Sequence, residues 1–172
     1  MKTLYSFDFD DTLCYTKRPE EGIPEWEQKT GLKWPYNGWW SKAETLDPDI
    51  FYTPKNEWVY QRYLEAVSDE NSYIIMATGR LNKVKGMREN VEKILNQHNL
   101  SFDEIHLNWG GDTFRFKTKL FEELIEKTKC DHFIMYDDRI EHLNKFEDWA
   151  KEQSVKITIV NVVAKKSKTF NN

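Results

Sequence analysis

The sequence of 172 residues has few cysteines and no long apolar run. Cys14 and Cys130 fit no metal-ligand spacing, which excludes a cysteine-based metal site and suggests a reducing compartment. No apolar stretch approaches the roughly 20 residues that span a bilayer. The first residues reach the acidic Asp8 too early for a signal peptide. We therefore expect a cytoplasmic protein with no membrane contact and no obligate protein partner.

An excess of positive charge is also missing, because the net charge is −4 and the pI is about 5.6. This balance argues against a protein that coats nucleic acid without selectivity, although it leaves room for a local basic patch. No internal repeat or domain linker interrupts the chain. A composition of 39% hydrophobic and 31% charged residues suits one globular domain over residues 1–172.

Strand and helix patterns alternate along the chain. The predicted strands cover 3–9, 72–77, 104–108, 132–136 and 155–163. The predicted helices cover 54–68, 82–97, 118–129 and 139–153. This alternation predicts an α/β fold with a mainly parallel sheet and helices on both faces. We expect Trp58, Leu64 and Val67 to face inward and the basic tail 165–172 to fray.

Residues 15–53 show no regular period and contain four tryptophans, namely Trp26, Trp34, Trp39 and Trp40. A loop of this length is uncommon in a compact domain unless it has a function. We interpret it as an ordered, cap-like insertion over one end of the sheet, partly helical around 25–30. Its aromatic residues either form a small core of their own or stack on nucleic-acid bases.

The most informative segment follows the first strand and reads Asp8-Phe9-Asp10-Asp11-Thr12. Alternate residues of a strand point the same way, so Asp8 and Asp10 can face one site at the carboxyl end of a parallel strand. Two carboxylates at so short a distance repel each other, so they need a cation between them or a shared proton. The alternative is an acidic turn in which Asp11 and Thr12 cap a helix.

Three further strand ends carry polar residues. Thr78-Gly79-Arg80 follows the second strand, where a hydroxyl and backbone N–H groups near a helix start can bind phosphate or simply cap the helix. Asp137-Asp138-Arg139 follows the fourth strand. Lys117 lies where a helix is expected to begin, and Lys119 is an alternative to it. A lysine there either neutralises a bound phosphate or is solvated.

Together these residues can transfer a phosphoryl group. Asp8 can attack phosphorus as a carboxylate nucleophile. Asp10 can protonate the leaving oxygen and later activate water. Carboxylates at two strand ends can hold Mg²⁺. Thr78 and Lys117 can bind the oxygens of the transferring group.

These four motifs, in this order, resemble those of the haloacid dehalogenase (HAD) superfamily of phosphohydrolases. The resemblance implies a Rossmann-like fold, Asp8 as nucleophile and Asp10 as acid and base. It also implies a Mg²⁺ ion held by Asp8, the main-chain carbonyl of Asp10 and Asp137, assisted by Asp138. Aspartate at both positions of the first motif is typical of the phosphatases of that superfamily.

A narrower resemblance involves Gly38-Trp39-Trp40, Phe116-Lys117 and the segment 138–146. These are similar to the HAD-type domain of fungal Swiss Army Knife RNA-repair proteins. The Asp-Asp-Arg triplet is similar to that of phage polynucleotide 3′-phosphatase domains. The resemblance implies a nucleotide or polynucleotide 3′-phosphate as substrate. From their charge and position, we expect Gly79, Arg80, Arg139 and His142 to contact it. The alternatives are a solvated face for the charged residues and a packing role for His142.

Other functions remain open at this stage. A small phosphorylated metabolite is the main alternative substrate, and a catalytically weak binding module is the alternative to an enzyme. A phospho-acceptor signalling domain is disfavoured, because no acidic residue follows the strand that ends near Ala77.

Overall fold

The protein forms a six-stranded sheet with the strand order β3-β2-β1-β4-β5-β6. The computed structural model describes residues 1–172, apart from the side chain of Ile140. The strands are β1 (Thr3–Phe7), β2 (Ser72–Leu81), β3 (Glu104–Asn108), β4 (His132–Asp137), β5 (Lys156–Asn161) and β6 (Lys166–Phe170). All neighbouring strands run parallel except β5 and β6, which are antiparallel.

Helices cover both faces of this sheet, as predicted. They are α1 (Pro19–Thr30), α2 (Glu57–Ser68), α3 (Met87–Gln97), α4 (Thr113–Thr128) and α5 (Ile140–Lys151), with a short 3-10 helix at Ala43–Leu46. On one face, Phe7 and Met76 of the sheet pack with Val59 and Val91 of α2 and α3. On the other face, Leu4 and Phe133 pack with the apolar side of α4 and α5. The sheet is therefore buried between two helical layers, which is typical of parallel sheets.

Helices α3 and α4 begin away from their predicted positions, and these two shifts affect the site. β2 continues to Leu81, so Thr78 and Arg80 lie within a strand and not at a helix start. α3 begins only at Met87, after Gly86 adopts a positive φ of 84°. α4 begins earlier than predicted, because the Asp112 side chain accepts a hydrogen bond from the Arg115 N–H at 2.9 Å. Its Lys117 consequently lies one turn inside the helix.

Helix α2 was predicted to begin at Pro54 and to turn Trp58, Leu64 and Val67 inward, and of these three only Trp58 packs against the core. Asn56 caps its first turn by accepting hydrogen bonds from two backbone N–H groups, so the helix begins at Glu57. The buried side chains are Val59, Tyr63 and Ala66, whereas Trp58 is half-buried and Leu64 and Val67 are exposed.

The tail 165–172, expected to fray, contains β6. Its backbone pairs with β5 along its whole length. The side-chain amide of Asn171 donates to the carbonyls of Ala150 and Val155, at 2.7 and 3.1 Å. Most of its side chains are exposed. No apolar alternation therefore signals this strand in the sequence.

The insertion contains more helix than predicted and a small core of its own. α1 starts at Pro19, and Trp26, Trp39 and Phe51 form a separate buried cluster. Gly22 of α1 lies against the Trp39 ring, where an added Cβ would lie 2.1 Å from the nearest ring carbon. Three of the four tryptophans thus belong to this cluster or pack against it, while Trp40 is 42% exposed. Among the described residues, no helix has the length and apolar character needed to cross a membrane.

Candidate active site

The carboxyl ends of β1, β2 and β4 open into a cavity of about 680 Å³. Neighbouring parallel strands present these ends at one edge of the sheet, which is where open α/β sheets bind ligands. Asp8, Gly79 and Asp138 line the cavity directly after or within these strands. Helix α4 contributes Thr113 and Lys117.

Lys117 joins the ends of two strands. Its ammonium donates to Asp8 at 3.0 Å and to Asp137 at 2.9 Å, and all three side chains are buried. Burial alone would lower the pKa of Lys117, but the two carboxylates outweigh that effect and raise it. Lys119, the alternative position, instead lies over the Trp109 ring. Of the two lysines, Lys117 is therefore the one that contacts the first and fourth motifs.

Asp8, Asp137 and Asp138 form an acidic cluster. One carboxylate oxygen from each lies within 4.8 Å of the other two. Burial, together with the neighbouring carboxylates, raises the pKa of Asp8 well above its usual value, although Lys117 opposes the shift. Burial likewise raises the pKa of Asp138 to about 6. If all three carboxylates ionise, they and the one ammonium carry an excess of two negative charges. A divalent cation with a preference for oxygen ligands fits that excess.

Asp10 lines the same cavity but is not part of this acidic cluster, and it pairs with Arg80. Arg80 Nε lies 3.0 Å from Oδ2 of Asp10, Nη2 lies 2.6 Å from Oδ1, and the Thr16 hydroxyl donates to Oδ1 at 2.7 Å. Burial alone would raise the pKa of Asp10, but Arg80 and Thr16 outweigh it and lower the pKa. The side chain of Asp10 is thus held ionised, and only its main chain remains for the cation contact that the sequence predicted.

Arg80 also connects the sheet to the insertion. Its Nη1 donates to the Trp40 carbonyl at 2.7 Å and to the Thr45 hydroxyl at 2.9 Å. The side chain is only 3% exposed. Arg80 lines the cavity, and its hydrogen bonds go to Asp10, Trp40 and Thr45. Its predicted role in binding substrate stays a prediction. Sequence analysis missed Thr16 and Thr45, since isolated threonines carry no motif.

The second motif is shaped by close contacts. Thr78 is fully buried, and its hydroxyl accepts a hydrogen bond from the Arg80 N–H at 3.1 Å. Gly79 lines the cavity beside Thr113, where an added Cβ would lie 2.8 Å from the threonine hydroxyl. A residue with a side chain would collide there, which explains the glycine. Thr113 was missed as a cavity residue because α4 was expected to begin later.

Of the other residues predicted for the site, Arg139 lies at the cavity and His142 and Thr12 do not line it. Arg139 lines the cavity and pairs with Glu141 at 3.2 Å. His142 is buried against Phe146 and is not among the residues that line the cavity, so the structure does not bring it to the site. The Thr12 hydroxyl donates to Asp138 at 3.4 Å, so Thr12 supports the acidic cluster and caps no helix.

The sheet order, the acidic residues at the ends of β1 and β4 and the lysine between them define a HAD-like Rossmann fold. A family model described as HAD domain family 1 in Swiss Army Knife RNA repair proteins matches residues 26–171, and the chain belongs to that family. The matched residues include the insertion from Trp26 onward and the last three motifs, and they begin after Asp8 and Asp10.

A solved structure described as "Structure of Pnkp1/Rnl/Hen1 complex" shares this fold. The TM-score is 0.59 and the sequence identity is 20%. The alignment covers 93% of this chain and 46% of the other, so this chain spans less than half of that protein's length. At this identity the likeness concerns the fold alone. No curated protein matches the sequence.

Proposed function

We propose that the chain is a magnesium-dependent phosphatase that removes phosphate from polynucleotide 3′ ends through an aspartyl phosphate on Asp8. The observation that carries this proposal is the position of Asp8 in the cavity, 3.0 Å from the Lys117 ammonium and within the acidic cluster. A buried carboxylate next to a fixed ammonium is suited to attack a phosphate, because the ammonium also neutralises charge on that phosphate.

The reaction has two steps. In the first, the Asp8 carboxylate attacks phosphorus, the bond to the leaving oxygen breaks, and Asp10 gives that oxygen a proton. In the second, Asp10 takes a proton from water, which attacks phosphorus and releases inorganic phosphate and free Asp8. The ion pair with Arg80 suits the second step directly, because an ionised carboxylate accepts protons. For the first step Asp10 must be protonated, so its contact with Arg80 must open.

The acidic cluster provides the ligands for the proposed cation. Asp8, Asp137 and Asp138 would hold Mg²⁺ together with the main-chain carbonyl of Asp10. When bound, the ion would neutralise charge on the phosphoryl oxygens. Lys117 then keeps Asp8 oriented and stabilises charge on the transferring group from its own side.

The proposed substrate rests on the family and on the cavity. The family consists of domains of RNA repair proteins, whose task concerns nucleic-acid ends. The cavity also presents exposed cationic side chains, Arg18 and Arg139, which suit a polyanion. The cytoplasmic location expected from the sequence stays a prediction.

Phosphate release tests the proposal directly. The substrates are 3′- and 5′-phosphorylated oligonucleotides, mononucleotides and sugar phosphates, each with Mg²⁺ and with a chelator. We expect Mg²⁺-dependent release that favours 3′-phosphorylated oligonucleotides and that Asp8→Asn abolishes. Asp8→Asn is isosteric and removes the nucleophilic charge, while Asp131→Asn, an exposed aspartate outside the cavity, serves as the control.

Three outcomes would contradict the proposal. Release that persists in Asp8→Asn would exclude the aspartyl phosphate. A preference for sugar phosphates would favour a metabolite phosphatase. No release from any substrate would favour a binding module of the same fold.

A further inference from the structure

Trp40 differs from the other tryptophans of the insertion. Trp26 and Trp39 are buried in the insertion's own cluster, and Trp34 packs against it. The indole N–H groups of Trp34 and Trp39 donate to the carbonyls of Gly38 and Lys17, at 3.1 and 2.8 Å. Trp40 lines the cavity and leaves 42% of its surface exposed. The exposed part of the Trp40 indole therefore faces a cavity of about 680 Å³ and can contact a ligand there.

The position of Trp40 is fixed by a buried residue. Arg80 donates to the Trp40 carbonyl at 2.7 Å, and its guanidinium carbon lies 5.3 Å from the centre of the indole ring. Arg80 is itself held by Asp10. The indole is therefore fixed relative to the reacting end of the cavity, which reduces the ordering cost of binding.

Two arginines approach the same cavity from different parts of the chain. Arg18 directly precedes α1, and Arg139 directly precedes α5. Arg18 pairs with Asp11 at 3.5 Å and is 66% exposed, and Arg139 pairs with Glu141 at 3.2 Å and is 46% exposed. Exposed pairs of this kind are weak, so both guanidinium groups are available to a phosphate, which they can bind with two hydrogen bonds.

We infer that Trp40, Arg18 and Arg139 form a binding site for the end of a single-stranded polynucleotide, here called the outer cavity site. Trp40 stacks on the terminal base, and the two arginines bind the next two phosphates of the backbone, one phosphate each. Single-strand binders combine aromatic faces and cations in this way, and stacking tolerates any base. Asp8 and Lys117 are buried deeper in the cavity and take the terminal phosphate, so this inference rests on the proposed function.

Equilibrium binding tests the base contact without relying on turnover. The full chain with Asp8→Asn is titrated into a fluorescent, 3′-phosphorylated tetranucleotide and into the same tetranucleotide with an abasic 3′ residue. Trp40→Ala should raise the Kd of the intact tetranucleotide about tenfold and bring the two values together. Trp40→Phe should retain most of the affinity, because a phenyl ring still stacks.

Tyr52→Ala is the matched control, because Tyr52 is a 70% exposed aromatic residue outside the cavity. It should leave both Kd values unchanged. If Trp40→Ala does not fold, Trp40→Leu keeps the apolar volume and tests the same loss of an aromatic face.

Salt dependence tests the arginines. Arg18→Gln and Arg139→Gln should each lower the slope of log Kd against log salt by about 0.7, the value for one contact to a single strand. Arg88→Gln is the control, because Arg88 is 43% exposed, pairs with Glu92 at 3.0 Å and lies outside the cavity. It should leave the slope unchanged.

The outcomes separate this inference from the proposed function. Equal weakening of intact and abasic tetranucleotides by Trp40→Ala, or unchanged slopes in both arginine variants, would overturn the outer cavity site. Absence of tetranucleotide binding together with phosphate release from sugar phosphates would also overturn it and leave a phosphatase. Binding with the expected dependences but no phosphate release from any substrate would contradict the phosphatase and support the site.

Discussion

The inner part of the cavity and the insertion hold their charged residues in different ways. Asp8 directly follows β1, Lys117 lies in α4 and Asp137 ends β4. All three side chains are buried and partly neutralise one another. The insertion presents Trp40 and Arg18 on its exposed side. The difference suggests that the sheet fixes groups which must not move during the reaction, whereas the insertion offers surfaces that choose the substrate. Arg80 connects the two regions.

Lys117→Met should produce the largest effect, because it removes the cation between two buried carboxylates. We expect a loss of about 3–5 kcal/mol in the free energy of unfolding, measured by urea denaturation with a chelator present. Mg²⁺ should restore part of the loss. Lys119→Met, at an exposed position, should change stability by less than about 0.5 kcal/mol. An equal loss of stability in the two variants would contradict the assignment of Lys117 as the cation that stabilises the two buried carboxylates.

Arg80→Lys breaks the connection between the two regions. The substitution keeps the charge but removes the guanidinium group that binds both Asp10 and the insertion. We expect the free energy of unfolding to fall by about 2–3 kcal/mol. Limited proteolysis should then cleave the insertion faster than the rest of the chain. Thr45→Val removes one acceptor of Arg80 and the hydrogen bond from the Thr45 hydroxyl to the Lys42 carbonyl, and should cost about 1–2 kcal/mol. Unchanged proteolysis in Arg80→Lys would mean that the insertion is held without this contact.

Gly22→Ala tests the insertion by itself. The added methyl would overlap the Trp39 ring, and overpacking typically costs about 1–3 kcal/mol, of which the better helix propensity of alanine returns about 1. Near-ultraviolet circular dichroism should change because the tryptophan cluster moves. Gly38→Ala, where a Cβ meets Ser41 at an ordinary 3.6 Å, should leave the spectrum unchanged. An unchanged spectrum in Gly22→Ala would show that the cluster adjusts freely.

The smallest expected effect is a pH dependence that arises outside the insertion, since none of the four histidines lies in the insertion. Burial and the nearby Lys156 lower the pKa of His132 below its ordinary 6.5. The folded state therefore binds fewer protons than the unfolded state, and stability falls as the pH drops through and below 6.5.

His132→Asn should flatten this fall in urea midpoints measured between pH 7 and pH 5. The Asp138 carboxyl, whose pKa burial raises to about 6, titrates in the same range with the opposite sign. The informative quantity is therefore the difference between variant and wild type at each pH. A difference that does not vary with pH would contradict the prediction.

The strand ends of the site could be predicted from sequence, because buried β-branched and aromatic runs lead directly into acidic residues. Asp8 and Asp137 lie where that pattern indicates. The partners of Arg80 could not be predicted, since its contacts with Trp40 and Thr45 join residues 40 and 35 positions apart. Three tryptophans pack in or against the insertion's own cluster whereas Trp40 lines the cavity, and this difference likewise depends on the three-dimensional arrangement of the insertion.

Helix starts were predicted less well, for local reasons. Pro54 suggested a first helical position, but Asn56 forms the better cap. The strand β6 carries mostly exposed side chains and is held by backbone pairing with β5, which no side-chain pattern reveals.

The exposed character of β6 also affects how molecules meet one another in solution. A strand at the border of a sheet offers free backbone groups to any similar strand that approaches it. Lys166 places positive charge on that border, and Lys168 adds to it although it pairs with Glu147, so two such borders repel each other as they approach. The last strand thus protects the sheet against edge-to-edge aggregation.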